Sequence, residues 1–388
     1  MKAFKLIIVA IIAIALILLV FIYGGRALGR AYLDFHADVK YRIESIFSPL
    51  PFDDDIKLAH FEYMKLTRRG HYNGVTFLND GRFMLDTLGY TLFLNERADN
   101  IVTFNDVAER NGAQFLYVRI PSKLESNSLL PLTFSDNYII EGSDALMNLV
   151  SEYGVDTLDL RAKMESDGMD YATSFFRGDH HWTIDKVLWA FGKISEHANN
   201  EYGFSINEMT WDPNQYGKFT FAGGFLGEES IAVNALDNYE DMNYLYPNFH
   251  TEFVITDLIG ENYMAHLDSG NFVDVFIPQI KTGYTGRLTF GSSNQWSSGF
   301  TRYENSAAGE DKSVLLVMDS MGIPLATFFA NAFTRVDNLY LQNGSNHRIW
   351  YAVENYNYDL VILAVSDVVV SGESTQIWHH DRLFLGYP

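Results

Sequence analysis

The chain has 388 residues, of which 47% are hydrophobic and 15% aromatic, so it can bury a large core and is not a disordered or fibrous sequence. Its formal net charge of −21 repels nucleic acid and anionic lipid surfaces, which argues against a nucleic-acid partner. The sequence contains no cysteine, which excludes disulfides, thiolate metal sites and a cysteine nucleophile.

The N-terminus carries an uninterrupted apolar run, Leu6–Tyr23, flanked by lysines and arginines and long enough to cross a bilayer as a helix. We expect this helix to be retained as an anchor. A cleaved signal peptide with its cleavage site at Ala27–Gly29 is the alternative. Because a long domain is exported regardless of charge, we expect residues 1–30 to form a cytoplasmic tail and transmembrane anchor, with the rest extracytoplasmic.

Two further regions follow the predicted anchor. Residues 31–70 have mixed charge and scattered apolar positions, and we interpret them as a helical stalk or linker. A β-hairpin is predicted next, because the Asp80-Gly81 pair separates two apolar runs. It marks the start of the main domain, residues 71–388.

Within this domain, predicted helices and strands alternate from 101 to 160 and again in the final third. Such alternation predicts an α/β fold, a mostly parallel sheet flanked by helices, and we expect both parts to share one sheet. Residues 205–300 differ, with many glycines, aromatics and short alternating strands. We interpret this segment as a β-rich insertion.

The segment Gly178-Asp-His-His-Trp182 immediately precedes a predicted amphipathic helix. We expect the motif to lie on a tight loop between a strand of the sheet and this helix, where Asp179 can orient an imidazole and stabilise the imidazolium formed during proton transfer, as a general base requires. Two other interpretations remain open, a structural polar pair beside a core tryptophan and a metal site. Catalytic zinc generally needs three protein ligands and no further ligand cluster is evident, so we predict neither a metal nor a cofactor.

A second segment, Met318-Asp-Ser-Met-Gly322, follows an apolar strand and precedes a helix. A serine at this position presents its hydroxyl at the sheet edge where open α/β proteins bind ligands. The amides of Ser320, Met321 and Gly322 can form part of an oxyanion hole. An ordinary Asp-Ser helix cap is the alternative interpretation.

Together the two segments provide a nucleophile, a base and an orienting acid. With the Pro121–Lys123 turn and the Phe221–Gly224 segment, they make the chain, from about residue 70 to 366, resemble the DHHW-protein family and, more distantly, the alginate O-acetyltransferases AlgJ and AlgX. The resemblance implies an SGNH hydrolase-like fold in which Asp179 orients, His181 is the base and Ser320 is the nucleophile. The Asp and His precede the Ser, a permuted order.

The resemblance also implies a function and partners. Together with the anchor predicted from Leu6–Tyr23, it predicts an enzyme at the membrane that O-acetylates a cell-surface polysaccharide, and members of such families often work with a membrane-bound O-acyltransferase that supplies the acyl group. Gly223 is the candidate second oxyanion donor, a plain turn glycine being the alternative, and Trp182 joins Met321 and Gly322 as a candidate substrate-binding residue. A carbohydrate acetylesterase with the same triad and a non-catalytic glycan-binding protein with the same fold are the alternative functions.

Overall fold

The structure is a computed structural model that describes residues 53–67, 70–85, 94–131, 139–260, 263–282, 288, 290, 299–341 and 346–370. The chain divides into two compact units, Met1–Lys57 and Leu58–Pro388, and of the first only 53–57 are described. The predicted tail and anchor, together with the stalk up to residue 52, lie outside the described residues. No helix in the described ranges is long and apolar enough to span a membrane.

The described residues form thirteen strands and twelve α-helices. The strands are β1 (His71–Tyr72), β2 (Val75–Phe77), β3 (Phe83–Leu85), β4 (Gln114–Ile120), β5 (Thr157–Asp159), β6 (Tyr216–Phe225), β7 (Glu240–Pro247), β8 (Phe253–Gly260), β9 (Tyr263–Gly270), β10 (Phe300–Asn305), β11 (Glu310–Met318), β12 (Phe333–Tyr340) and β13 (Leu360–Ser366). The helices are α1 (Asp53–Leu66), α2 (Leu94–Arg110), α3 (Ile139–Glu152), α4 (Leu160–Ser166), α5 (Tyr171–Ser174), α6 (Ile184–Tyr202), α7 (Glu228–Ala232), α8 (Phe272–Phe276), α9 (Gln279–Thr282), α10 (Ile323–Ala332), α11 (Asn346–Asn355) and α12 (Asp367–Val370).

Eight strands form one mixed sheet in the order β5-β4-β13-β11-β12-β10-β8-β9. The first five are parallel, and they come from both stretches of predicted alternation, so the expectation of a shared sheet is confirmed. The last three add antiparallel pairs. The prediction of a mostly parallel sheet therefore needs correction to a mixed one, because β8 and β9 of the 205–300 segment extend the main sheet as a hairpin.

The central strands are apolar throughout because helices cover both faces of the sheet. Leu316 of β11 faces a core that includes Phe191 of α6 and Phe328 of α10. Its neighbour Leu315 faces the other core, which includes residues of α2 and α11. The predicted amphipathic helix is thus confirmed as α6, and it ends at Gly203, whose φ of 69° is left-handed.

The predicted hairpin is also confirmed. Strands β2 and β3 pair antiparallel, and Gly81 in the turn between them has a φ of 85°. A left-handed residue is needed to close this turn, which explains the glycine. The paired strands pack with Phe61 and Met64 of α1 in a small separate core.

One buried arginine connects the parallel strands at the edge of the sheet. Arg119 at the end of β4 is fully buried, and its Nε donates to Asp367 Oδ1 at 2.7 Å. Its Nη1 donates to Asp144 and Asp159, which are partly exposed. The second oxygen of Asp367 accepts from the Ser122 amide at 3.0 Å. Arg119 therefore neutralises a carboxylate that is itself fully buried.

Replacing this arginine should destabilise the fold. The Arg119→Met variant keeps the apolar stem but leaves Asp367 buried without its counter-charge, which we expect to cost about 3–5 kcal/mol of unfolding free energy. Urea denaturation of the purified protein measures the difference. The control is Arg110→Met at the exposed end of α2, for which we expect a change below about 0.5 kcal/mol. Equal stability of the two variants would contradict the assignment.

Candidate active site

The loop that carries the first predicted motif lies between two helices. It follows α5 and precedes α6, and only an isolated bridge between Phe175 and Trp182 gives it strand-like pairing. The expectation that this motif follows a strand of the sheet is therefore wrong. Packing fixes the loop instead, because a Cβ at Gly178 would lie 1.9 Å from Ser230 Oγ, so only glycine fits there.

A buried lysine holds the backbone of this loop. Lys123 is 1% exposed, and its Nζ donates to the carbonyl oxygens of Asp179, at 2.6 Å, and of Arg177, at 3.3 Å. It also donates to the carbonyl of Phe83 in β3. Burial lowers the pKa of Lys123 to about 8. Lys123 thus ties the motif loop to the predicted hairpin.

Asp179 and His181 form a short hydrogen-bonded pair. Oδ1 of Asp179 lies 2.5 Å from Nδ1 of His181 and accepts from the His181 amide at 3.1 Å. Oδ2 accepts from the amide of Glu228 at 3.0 Å. Burial by itself would raise the pKa of Asp179, but the charge and hydrogen bond of His181 hold that pKa well below its usual range. Asp179 is therefore an ionised acceptor, so Nδ1 of His181 carries the proton.

The His181 ring is fixed on its faces as well as at Nδ1. It stacks on Phe290 with ring centroids 3.8 Å apart and an interplanar angle of 11°, and the His180 ring also lies 3.8 Å away. Burial, with the neighbouring His180, lowers the pKa of His181 to about 4. Among the described residues nothing hydrogen-bonds Nε2. A neutral imidazole with a free lone pair at Nε2 is what a general base requires.

Ser320 lies where β11 ends and a short 3-10 helix, Ser320–Gly322, begins. The cap of this helix is Asp319, whose Oδ1 accepts from the Met321 amide at 2.9 Å. Oδ2 of Asp319 accepts from the amide of Ser366, at 2.8 Å, and from its hydroxyl, at 2.5 Å. The helix-cap interpretation therefore applies to Asp319, and the Ser320 hydroxyl is not part of the cap.

Ser320 and His181 line the same cleft, which has a volume of about 450 Å³. His180, Glu228 and Ser366 are among the polar residues of its wall, and apolar side chains from β2, β3, α7 and α12 also line it. Within the described residues, no hydrogen bond joins Ser320 Oγ to Nε2 of His181. The structure thus brings the three proposed triad residues to one place without closing the contact between nucleophile and base.

The other predicted site residues need correction. The amides of Met321 and Gly322 already donate to Asp319, at 2.9 and 3.1 Å, so they are not presented to a substrate. The Gly223 amide donates to Asp241 at 2.8 Å on the exposed part of β6, and Gly223 is not among the residues that line the cleft. Trp182 is buried in the core, with its Nε1 donating to the carbonyl of Met321 at 2.8 Å. Among the described residues, the hydrogen bonds of this turn do not use the amide of Ser320.

Sequence reasoning missed a second polar pair in the cleft. Nδ1 of His180 lies 2.7 Å from Oε1 of Glu229, which is almost fully buried in α7. Burial would lower the pKa of His180, but the Glu229 carboxylate raises it to about 9. The two residues are separated by 49 positions. No local signal in the sequence connects them.

Asp179, His180 and His181 place potential metal-ligating atoms within 4.8 Å of one another. Both oxygens of Asp179 and the Nδ1 atoms of both histidines are already in hydrogen bonds. Three protein ligands are the usual minimum for a catalytic zinc. The hydrogen bonds therefore favour an acid–base site over a metal centre here.

Comparison with known proteins shows which class of proteins part of this chain resembles. Residues 89–201, which include the Asp179–Trp182 motif, match the family model of the SGNH hydrolase-like domain of the acetyltransferase AlgX. The resemblance predicted from the sequence is thereby confirmed. The match covers less than half of the chain and does not include Ser320. The search of curated proteins found no significant match to this chain.

Solved structures share the fold. A structure of PatB1 from Bacillus cereus with a sulfonyl adduct is 15% identical, with a TM-score of 0.61, and the match covers 77% of this chain and 96% of that one. A DHHW family protein from Eubacterium siraeum is 14% identical, with a TM-score of 0.55 over 81% and 96% of the two chains. At these identities the likeness establishes a common fold.

The geometry predicts distinct protonation states for the two adjacent histidines. At pH 7, a two-bond ¹H–¹⁵N correlation spectrum should show His181 neutral with its proton on Nδ1, and His180 protonated on both nitrogens. His181 should take up its second proton only near pH 4, and His180 should lose one near pH 9. The single variants His180→Gln and His181→Gln assign the signals. A His181 that is cationic at pH 7 would contradict this arrangement.

Proposed function

We propose that this protein is an SGNH-type O-acetyltransferase that works through an acyl-enzyme on Ser320. One observation carries the proposal. The Asp179–His181 pair, with Nε2 of the imidazole unpaired, lines the same cleft as the serine that follows β11. The family match to an acetyltransferase domain supports the same reaction class.

In the first half of the proposed reaction, Nε2 of His181 takes the hydroxyl proton as Ser320 Oγ attacks the carbonyl carbon of the acyl donor. Asp179 stabilises the resulting imidazolium through Nδ1. The amide of Ser320 can donate to the oxyanion. Collapse of the tetrahedral intermediate then breaks the bond to the leaving group, which receives the proton from His181.

In the second half, an acceptor hydroxyl loses its proton to Nε2 and attacks the acyl-serine, so the ester forms on the acceptor and Ser320 regains its proton. A sugar hydroxyl as acceptor makes the protein a transferase, and water makes it an acetylesterase. The volume of the cleft, about 450 Å³, leaves room for more than an acetyl group beside Ser320, which favours an acceptor larger than water.

The proposed setting is the cell envelope. Residues 1–30 would anchor the chain, the catalytic domain of residues 71–388 would lie outside the membrane, and a surface polysaccharide would be the acceptor. A membrane-bound O-acyltransferase would supply the acyl group. The apolar run Leu6–Tyr23 supports the anchor. The family match to an acetyltransferase domain supports acetyl transfer. The polysaccharide acceptor rests on the resemblance to the alginate O-acetyltransferases.

A non-catalytic, glycan-binding role is the alternative, and one observation favours it. Ser320 Oγ and His181 Nε2 do not form a hydrogen bond in this structure. Catalytic hydrogen bonds are often long or poorly aligned without substrate, so the observation alone does not separate the two roles. A measurement of the chemical reactivity of Ser320 separates the catalytic role from the non-catalytic one.

The proposed nucleophile can be tested by chemical labelling. PatB1 has been solved with a sulfonyl adduct, so a small sulfonyl fluoride is a suitable probe. We expect one adduct per chain, detected by intact mass, and its loss in Ser320→Ala. The matched control is Ser366→Ala, the other serine of the cleft, which should still be labelled. Labelling that persists in Ser320→Ala would contradict the proposal.

The same variant should lose activity without losing stability. Ser320→Ala removes the group that forms the covalent bond, so release of acetate from an activated ester should fall by about 10⁴-fold or more. Its hydroxyl takes no part in the cap, and the free energy of unfolding should change by less than about 0.5 kcal/mol. A strongly destabilised variant would indicate a structural role.

The direction of the reaction is tested by supplying acceptors. The purified protein is incubated with an activated acetyl ester, with and without glycan oligomers, and both free acetate and acetylated sugar are followed. Transfer to sugar that competes with hydrolysis supports the transferase. Acetate release unaffected by every glycan, with deacetylation of an acetylated polymer, would identify an esterase.

A further inference from the structure

The cleft contains a second carboxylate–imidazole pair, His180 with Glu229, that the proposed reaction does not use. The Nδ1–Oε1 distance is 2.7 Å, and the Glu229 side chain is 1% exposed. The His180 side chain is 14% exposed and lines the cleft. Among the described residues, His180 is the side chain that hydrogen-bonds Glu229, and the second carboxylate oxygen has no partner. Such a buried carboxylate is costly unless its partner carries the opposite charge.

This second pair is in direct contact with the base. The His180 ring centroid lies 3.8 Å from that of His181. The Phe290 ring centroid lies at the same distance, and the plane of the Phe290 ring is nearly parallel to that of His181. Two rings cannot occupy one face of an imidazole at that separation, so they lie on opposite faces. His181 is therefore enclosed between an apolar ring and the ring of His180.

Helix α7 connects the two pairs. The amide of Glu228 donates to Asp179 at 3.0 Å, its neighbour Glu229 holds His180, and the amide of Ser230 donates to the carbonyl of Gly178 at 3.0 Å. Three consecutive residues of one helix thus contact the motif loop. Both imidazoles are positioned by the same element, so their mutual geometry is fixed.

We propose that Glu229 and His180 are positioning residues for the reaction proposed above: Glu229 holds His180 as an imidazolium, and this cation keeps the adjacent His181 neutral and in place as the base. The inference rests on the assignment of His181 as the base. It also gives a function to His180, the one of the two motif histidines to which the resemblance assigns no role.

The charges around the two rings agree in sign with this role. Around His180, burial lowers the pKa, while Glu229, Asp179 and Glu228 raise it, to about 9. Around His181, burial and the His180 cation lower the pKa, Asp179 raises it, and Lys123 lowers it, to about 4. Without a cation at His180, less positive charge would oppose Asp179, which raises the pKa of His181. More of His181 would then be protonated at a given pH.

Two measurements on the full-length protein test the inference. NMR monitors the titration of His181, and an activity assay gives the pH profile of ester hydrolysis. Glu229→Gln keeps a hydrogen-bond acceptor for His180 but removes the charge, and His180→Gln keeps a donor for Glu229 but removes the cation. Two like charges in contact in a protein interior repel strongly, so each variant should move the His181 titration, and the acid limb of kcat/KM, upward by about one to two pH units.

Glu228→Gln is the matched control, because it removes a neighbouring carboxylate of the same helix whose backbone amide, not its side chain, binds Asp179. We expect a smaller shift from it than from Glu229→Gln. A purely structural role would lower kcat without moving the titration. Unchanged His181 titration in both test variants, or a neutral His180 in the wild type at pH 7, would overturn the inference.

Failure of this inference can be distinguished from failure of the proposed function. The NMR titration reports the His180–His181 coupling whether or not the protein turns over. Suppose that Ser320→Ala leaves labelling and hydrolysis intact, while Glu229→Gln and His180→Gln both shift the His181 titration. The electrostatic coupling between the two histidines is then confirmed, but the acyl-transfer function is wrong, and the positioning role in that reaction is wrong with it. If Ser320→Ala abolishes hydrolysis and neither variant shifts the limb, only the positioning role fails.

Discussion

A buried carboxylate must have its charge and lone pairs satisfied, and the way Asp179 meets this requirement determines the rest of the site. Its two oxygens accept from the amide and Nδ1 of His181 and from the amide of Glu228. Lys123 binds the Asp179 carbonyl and so fixes its backbone. The tautomer of His181, its orientation and the position of α7 all follow from this one buried charge.

The nucleophile side of the cleft depends on the sheet. Parallel strands β11 and β13 end side by side, and Asp319 bonds across them to Ser366 while capping the turn that carries Ser320. The carboxyl ends of parallel strands are where open α/β sheets place their ligands. Ser320 therefore sits on the rigid part of the fold, and the Asp179–His181 pair is brought to it by packing of a loop that the sheet does not contain.

The elements that sequence predicts best are those with a local signal. The hairpin at Gly81, the helix from Ile184 and the buried strands before Ser320 and Asp367 follow from turn chemistry and hydrophobic period. Strand pairing over long distances carries no such signal. Alternation in residues 253–270 indicates strands, but nothing in it shows that they extend the main sheet antiparallel.

The same distinction applies to the site. The three triad candidates occur in short motifs, and their residue types suggest their chemistry. The amides of Met321 and Gly322 could not be judged from sequence, because whether an amide is free depends on its partner, here Asp319. Glu229 was missed for a related reason, since burial, not spacing, makes its carboxylate act on His180.

Ser320 and His181 do not form a hydrogen bond here, and their side chains differ in how strongly their surroundings restrain them. The His181 ring is fixed at Nδ1 by Asp179 and on its two faces by Phe290 and His180, so it has no free rotation left. Ser320 Oγ has no hydrogen bond among the described residues and lies in a cleft. Rotation of χ1 moves a serine hydroxyl between staggered wells at little cost. In the proposed reaction the hydroxyl of the nucleophile therefore rotates towards a base whose own position is already fixed.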